Sequence, residues 1–208
     1  MQAFNPSIGG NEGYISVQHL WFDLGIERCH ALLEESAWSK CQQLVDELHA
    51  SLRSNGADDT SQTAKLLQVY AVKIQLSMCL IEDLARDAVA DMDRYNALQF
   101  GLRELIEITR GLITNVDIID NKSMSIIYEC WAKVYASNDD WSNAYKYFKE
   151  AFLLYQQIAH QNTTKCLQYL LVSYMILSSL PHDDSTGSAQ EDKMPNPFAM
   201  EEISVYQQ

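Results

Sequence analysis

Between Pro6 and Pro181 the chain contains no proline, although ordinary usage of about 5% would place roughly eight or nine there. A proline ring removes a backbone donor and clashes with the preceding helical turn, so a gap of this length points to helices joined by short turns. Glycine in the same interval is limited to Gly9, Gly10, Gly13, Gly25, Gly56, Gly101 and Gly111. Apolar residues recur at three and four rather than at two, which is helical and not strand periodicity.

Eight periodic segments follow. The first runs from about Ile15 to Glu35 with Val17, Leu20, Trp21, Leu24, Ala31 and Leu32 on one side. Ser36 is the expected N-cap of a second, carrying Ala37, Cys41, Leu44, Leu48 and Leu52 until Asn55 and Gly56 end it. Asp59 with Gln62 resembles a capping box before a third, with Leu67, Tyr70, Ala71, Ile74 and Met78. A bend is expected near Leu80 to Asp83, then a fourth segment with Leu84, Ala88, Val89 and Met92, and a fifth with Leu98, Leu102, Leu105, Ile106 and Ile113. Asn121 opens a sixth (Met124, Ile127, Tyr128, Trp131, Val134, Tyr135), and Asp140 caps a seventh (Ala144, Phe148, Ala151, Phe152, Tyr155). Asn162 or Thr163 caps an eighth with Cys166, Leu167, Leu170, Leu171 and Tyr174, apolar nearly all round and in need of cover on two sides.

Two pairs share a spacing. Trp21, Leu24, Gly25, Ala37 and Cys41 stand as do Tyr128, Trp131, Ala132, Ala144 and Phe148, 107 residues later. This is the tetratricopeptide pattern, at about three units of ~34, and Trp131, Tyr135 and Ala151 complete the repeat positions of the second pair. Small residues at Ala37, Ala132 and Ala144 allow two helices to cross closely. The expected fold is all-α, a TPR-like antiparallel helical-repeat solenoid over residues 14–180. A disordered stretch (1–13) precedes it, and an acidic linker with the start of a further helix (181–208) follows.

Net charge is −13 with 47% hydrophobic residues. That is a chain with a core, and one poorly suited to phosphate-rich partners, since nucleic-acid affinity comes from Lys and Arg. Five cysteines, Cys29, Cys41, Cys79, Cys130 and Cys166, show no CxxC pair or disulfide-like spacing, as expected of a reducing compartment. No N-terminal signal is visible, and no stretch approaches the roughly 18 uninterrupted apolar residues of a membrane span. Nucleic acid and membrane are therefore not expected partners, and the expected location is cytoplasm and nucleus. The histidines (His19, His30, His49, His160, His182) form no HxH or HExxH, and there is no GxxxxGK[ST] or GxGxxG. No catalytic, metal or cofactor residue is assigned, and the expected role is protein binding without catalysis.

Several runs carry a family resemblance. Leu20-Trp21-Phe22, the stretch Leu66 to Gln75 (LLQVYAVKIQ), Asp140-Trp141 through Ala144, Tyr147, Phe148, Glu150, Ala151, Phe152 and Tyr155, and Thr163 to Leu170 (TTKCLQYL) resemble the helical-repeat part of the second-subunit family of the COP9 signalosome. A paralogous proteasome-lid subunit has a similar Trp-x-x-Ala-Tyr-x-Tyr-Phe-x-Glu-Ala-Phe segment. The Leu-Leu-x-x-Tyr-Ala-x-x-Ile-Gln run and Asn196-Pro197-Phe198 fit the signalosome family better. The resemblance implies PCI-family helical repeats and a scaffold subunit of a hetero-oligomer that removes a ubiquitin-like modifier from cullins. It also implies other signalosome-type subunits and cullin ligases as partners, with the metalloprotease on another subunit. A proteasome-lid-like scaffold and a free-standing TPR adaptor are the alternatives. Residues 85 to about 98 look longer than the family pattern. The winged helix and the acidic and basic N-terminal repeats of the family have no counterpart here, so no binding residue is carried over.

Overall fold

A computed structural model describes residues 10–54, 60–86, 91–114, 120–180, 196–200 and 203. Among them are seven α-helices and no strand: α1 (Gly10–Glu34), α2 (Trp38–Ser54), α3 (Thr60–Arg86), α4 (Met92–Ile113), α5 (Asn121–Ser137), α6 (Trp141–Gln157) and α7 (Thr163–Ser179). The protein is an all-α helical-repeat molecule. It forms two compact units, residues 1–118 with α1–α4 and residues 119–208 with α5–α7.

In the first unit, α1 buries Phe22, Ile26, Cys29, Leu32 and Leu33, and α2 buries Cys41, Val45, Leu48 and Leu52. Both series follow the three-and-four spacing of a helix face. These side chains join Val69, Val72 and Leu76 of α3 in one aliphatic core. α3 packs against α1, α2 and α4 and is buried on several sides. Residues Gln62–Arg86 are long and apolar enough to cross a membrane by length and composition. They nevertheless form the central helix of this unit, and Lys73 on it reaches Asp46 of α2 at 2.9 Å.

The expected bend at Leu80 to Asp83 is absent, and the expected fourth segment is not a helix of its own. Leu84 continues α3, Met92 is the first residue of α4, and Ala88 and Val89 lie outside the described residues. Nothing at 80–83 interrupts a helix, whereas Asp91 accepts a hydrogen bond from the Arg94 backbone N–H at 3.1 Å and caps α4. Among the described residues, the expected fourth segment is thus divided between α3 (Leu84) and α4 (Met92), and the fifth lies in α4. Gly10–Gly13, expected to be disordered, are the first turn of α1. Glycine weakens a helix through its backbone freedom by about 1 kcal/mol each, a penalty quoted for helix interiors rather than for an end turn. Asp59 lies outside the described residues, and Gln62 donates instead to the Leu52 carbonyl at 2.6 Å.

In the second unit α6 packs on both α5 and α7. Asp120, one residue before the expected Asn121, caps α5 by accepting from the Ser123 N–H at 2.7 Å. Asp140 caps α6 as expected, accepting from the Asn143 N–H at 3.2 Å. Beyond α7, Pro197–Ala199 form a single 3-10 turn against it, and Pro197 and Ile203 are buried. Of the expected further helix from Phe198, the described residues include that turn and Ile203, which is helical; 201–202 and 204–208, like 181–195, lie outside them.

Three of the connections are the same device. After α1, α5 and α6 one residue turns left-handed: Ser36 (φ 55°), Asp139 (φ 59°) and Ala159 (φ 49°). The next N–H then bonds five residues back, Ala37 to Leu32, Asp140 to Tyr135 and His160 to Tyr155, at 2.9, 3.0 and 2.9 Å. This is the Schellman arrangement, which occupies helix-end carbonyls and reverses the chain. Ser36 therefore ends α1 and does not cap α2. Ala37 holds the cap position, its carbonyl taking the Cys41 N–H at 3.0 Å.

Candidate interaction surfaces

The turns set a different repeat register from the expected one. Aligning Ser36 with Asp139 pairs Trp38 with Trp141, 103 residues apart, one helical turn less than the expected 107. In this register Phe22, Ile26 and Cys29 stand with Ser125, Glu129 and Ala132. Cys41, Val45, Leu48 and Leu52 stand with Ala144, Phe148, Ala151 and Tyr155, and all fourteen of these residues are buried. The small pair at the helix crossing is thus Cys29 and Cys41 in the first hairpin and Ala132 and Ala144 in the second.

The expected repeat positions divide accordingly. In the second hairpin Trp131, Ala132, Ala144, Phe148 and Ala151 are buried, and half-buried Tyr135 stacks on Tyr147 with centroids 5.4 Å apart. In the first, Cys41 is buried and Ala37 half-buried. A methyl group on Gly25 would lie 2.8 Å from Leu48 Cδ2, so glycine is what lets α1 and α2 approach there. Trp21 and Leu24, expected on the packed side with Leu20, are 48% and 61% exposed. The packed stripe of α1 is instead the Phe22, Ile26, Cys29 series.

A polar group inside the second unit is absent from the sequence reading. Glu129 of α5 accepts from Lys133 Nζ at 2.9 Å with one oxygen and from the Tyr155 hydroxyl of α6 at 2.8 Å with the other. Burial works against the Lys133 charge, but Glu129 beside it outweighs that and holds the ammonium above its ordinary pKa. Burial, reinforced by Glu129, drives the Tyr155 hydroxyl and the Cys166 thiol upward. The Glu-to-Lys spacing of four along one helix was the available signal. Lys133 also lies 5.5 Å from the Tyr169 ring centroid, and that ring stacks on Phe148. Every charge here is answered within the group, which makes it an internal clamp between helices.

Two thiols meet inside the first hairpin. Cys41 Sγ donates to the Cys29 carbonyl at 3.7 Å; the hydrogen bond between the two thiols, with burial, pushes Cys29 up, and the same hydrogen bond draws Cys41 down, both being buried. His49 Nδ1 lies 3.1 Å from Lys73 Nζ, and His160 Nδ1 accepts from the Asn162 N–H at 3.1 Å. Among the described residues no three His, Cys, Asp or Glu are grouped to hold a metal ion. What the molecule offers outward is apolar helix surface: Leu20, Trp21 and Leu24 on α1, Met92, Phe100 and Ile108 on α4, and Val172 and Met175 on α7. The last two belong to the helix expected to be apolar all round. Its inner side, Cys166, Leu167 and Leu170, is buried and its outer side is not.

The chain is similar to curated proteins described as COP9 signalosome complex subunit 2. Over 177 residues it is 27% identical to that of Emericella nidulans, covering 85% of this chain and 31% of the relative. With the Neurospora crassa protein it shares 26% over 196 residues, 91% and 36% of the two chains. The figures for Drosophila melanogaster are 26% over 161 residues, 77% and 32%. The chain spans about a third of the length of these relatives. No family model matches it.

Proposed function

We propose that this chain is a non-catalytic, protein-binding scaffold of the kind that the second subunit provides in a COP9 signalosome. As a member of a hetero-oligomer in cytoplasm and nucleus, it supports removal of the ubiquitin-like modifier from cullins. The observation that carries the reading is the similarity to several second-subunit proteins over 77 to 91% of the chain, in a molecule built of stacked helix pairs. Its structure agrees with a scaffold: Glu129, Lys133 and Tyr155 inside the second unit answer one another, and apolar helix faces are left for partners. In this role the chain contributes surface, with other signalosome-type subunits as direct neighbours and cullin ligases as the substrate-bearing assembly. The isopeptidase centre belongs to another subunit.

Affinity purification of the tagged chain from its own cells, followed by sizing and mass spectrometry, tests this. The expected result is co-migration with other signalosome subunits and cullins, while the purified chain alone carries no isopeptidase activity on a modified cullin. Co-migration with the proteasome base, or migration as a free chain, overturns it.

A further inference from the structure

Each helix of a repeat array normally buries one face on its partner and another on the neighbouring pair. The two hairpins differ on that second face. Leu20, Trp21 and Leu24 of α1 correspond, at the 103-residue register, to Ser123, Met124 and Ile127 of α5, and those three are buried. The α1 residues are 59%, 48% and 61% exposed. Two leucines and a tryptophan at i, i+1 and i+4 thus occupy positions that this architecture covers elsewhere in the same chain. Tryptophan so placed is the side chain most often found at the energetic centre of interfaces.

Charge selects among occupants. The exposed side of α1 continues from the apolar stripe through Asp23, Glu27, Glu34 and Glu35, all exposed. Arg28 on the same side lies 3.9 Å from Glu35, and Glu27 and Glu34 have partners of their own, so what the face presents is the surplus of four carboxylates over one guanidinium. A second copy would set acidic face against acidic face, in a chain of net charge −13, and an anionic lipid surface would be repelled in the same way. A helix with an apolar stripe and lysines or arginines flanking it matches both features, packing on α1 as one helix packs on another.

We infer that the outer face of α1 is a docking site for a basic amphipathic helix of a partner protein, with Trp21 as its anchor and the α1 carboxylates as its rim. The inference is independent of the signalosome reading and would stand for a helical-repeat scaffold of any complex.

The experiment uses the full chain and a synthetic helical peptide with leucines on one face and lysines flanking them, beside an otherwise identical peptide flanked by glutamates. Binding is read by calorimetry at low and at physiological salt. The lysine peptide should bind saturably and more weakly as salt rises, and the glutamate peptide at least ~10-fold more weakly. W21A and L24A, changes at exposed positions that should leave the circular dichroism spectrum unaltered, should each weaken binding by ~10-fold or more. V172S/M175S on α7 should leave it unchanged. Equal binding of the two peptides, no binding of either, insensitivity to W21A, or loss through V172S/M175S overturns the inference. So does a self-associated chain that W21A renders monomeric, since the occupant would then be a second copy.

Discussion

The α1–α2 and α5–α6 hairpins solve one packing problem with opposite chemistry. Where α1 and α2 place Ile26 and Leu52 in an aliphatic core, α5 and α6 place Glu129 and Tyr155, joined by a hydrogen bond of 2.8 Å. Where the first puts Gly25 under Leu48, the second has Tyr128 and Ala151, the large and small partners exchanged between helices. Neither pair keeps its residues, as expected if a core selects for filled space and satisfied polar atoms rather than for particular side chains. The cost is unequal sensitivity. Aliphatic contacts fail by degrees, whereas a buried ion fails when its partner is removed.

Transplanting the residue of the first hairpin into the second is the strongest test. Glu129→Ile leaves the Lys133 ammonium and the Tyr155 hydroxyl inside the unit without their acceptor and should cost about 3–5 kcal/mol. Adding Lys133→Met removes the stranded charge, so the double variant should recover at least half of the loss in urea denaturation. If the single variant is as stable as the parent, the network is not the clamp described above.

Alkaline pH should draw mainly on the second chemistry next, with the raised Cys29 thiol of the first unit acting in the same direction. The folded second unit holds the protons of Cys166, Tyr155 and Lys133 to higher pH than an unfolded chain does. Above about pH 8.5 for the thiol and about pH 10 for the phenol and the ammonium, the unfolded state has fewer protons than the native state, and stability falls as pH rises. Each group adds a slope of up to about 1.4 kcal/mol per pH unit. Urea midpoints from pH 7 to 11 should therefore be level at first and then decline. Tyrosinate absorbance should show a fraction that ionises only on unfolding. In the first unit, Asp46 acts at the other end of the scale. Partial burial pulls its carboxyl upward, but hydrogen bonds from Gln42 and Lys73 outweigh that and hold it below the ordinary value, so its contribution is lost only as pH falls below about 4.

A smaller effect is expected at the reciprocal volume pair. Gly25→Ala brings a methyl group to 2.8 Å from Leu48 Cδ2, and Leu48 is fully buried and cannot swing into solvent. Overpacking of about 1–3 kcal/mol, less about 1 kcal/mol of gained helix propensity, leaves a net loss near 1 kcal/mol. In G25A/L48A the two losses should be less than additive.

Legibility of the sequence followed the physics of each feature. Helix type was plain, because the proline gap and the three-and-four spacing are properties of local sequence. The buried stripes of α2, α6 and α7 were plain for the same reason. Register was not. Ser36 is an acceptable N-cap by type, and only its left-handed φ reveals that it ends the preceding helix, so the first pair was matched to the second one turn out of step. Exposure of Trp21 and Leu24 is not legible in either register, since their counterparts Met124 and Ile127 are buried. The break between α3 and α4 was misjudged because periodicity persists across 80–86, while the Asp91 cap gives a weak signal by itself. The Glu129, Lys133 and Tyr155 group was hidden because Tyr155 comes from another helix, and a residue's partner across a hairpin is fixed only once the register is known.

The turns themselves offer the finest distinction between the hairpins. All three left-handed positions hold residues other than glycine, and a Cβ in that conformation costs roughly 1–2 kcal/mol. Asp139 is the least penalised, since a short polar side chain can bond locally, and Ser36 has a similar though weaker resource. Ala159 has none. Ala159→Gly should therefore relieve strain that the other two sites partly compensate. Glycine also enlarges the freedom of the unfolded chain, which returns part of the gain. A net stabilisation of about 0.5–1 kcal/mol is expected for A159G, less for S36G and least for D139G. Urea midpoints of the three single variants measure the order. If A159G is neutral or destabilising while D139G stabilises, the turn after α6 is held by contacts of the Ala159 methyl and not by the five-residue-back bond from His160 to Tyr155, and the equivalence of the three connections fails.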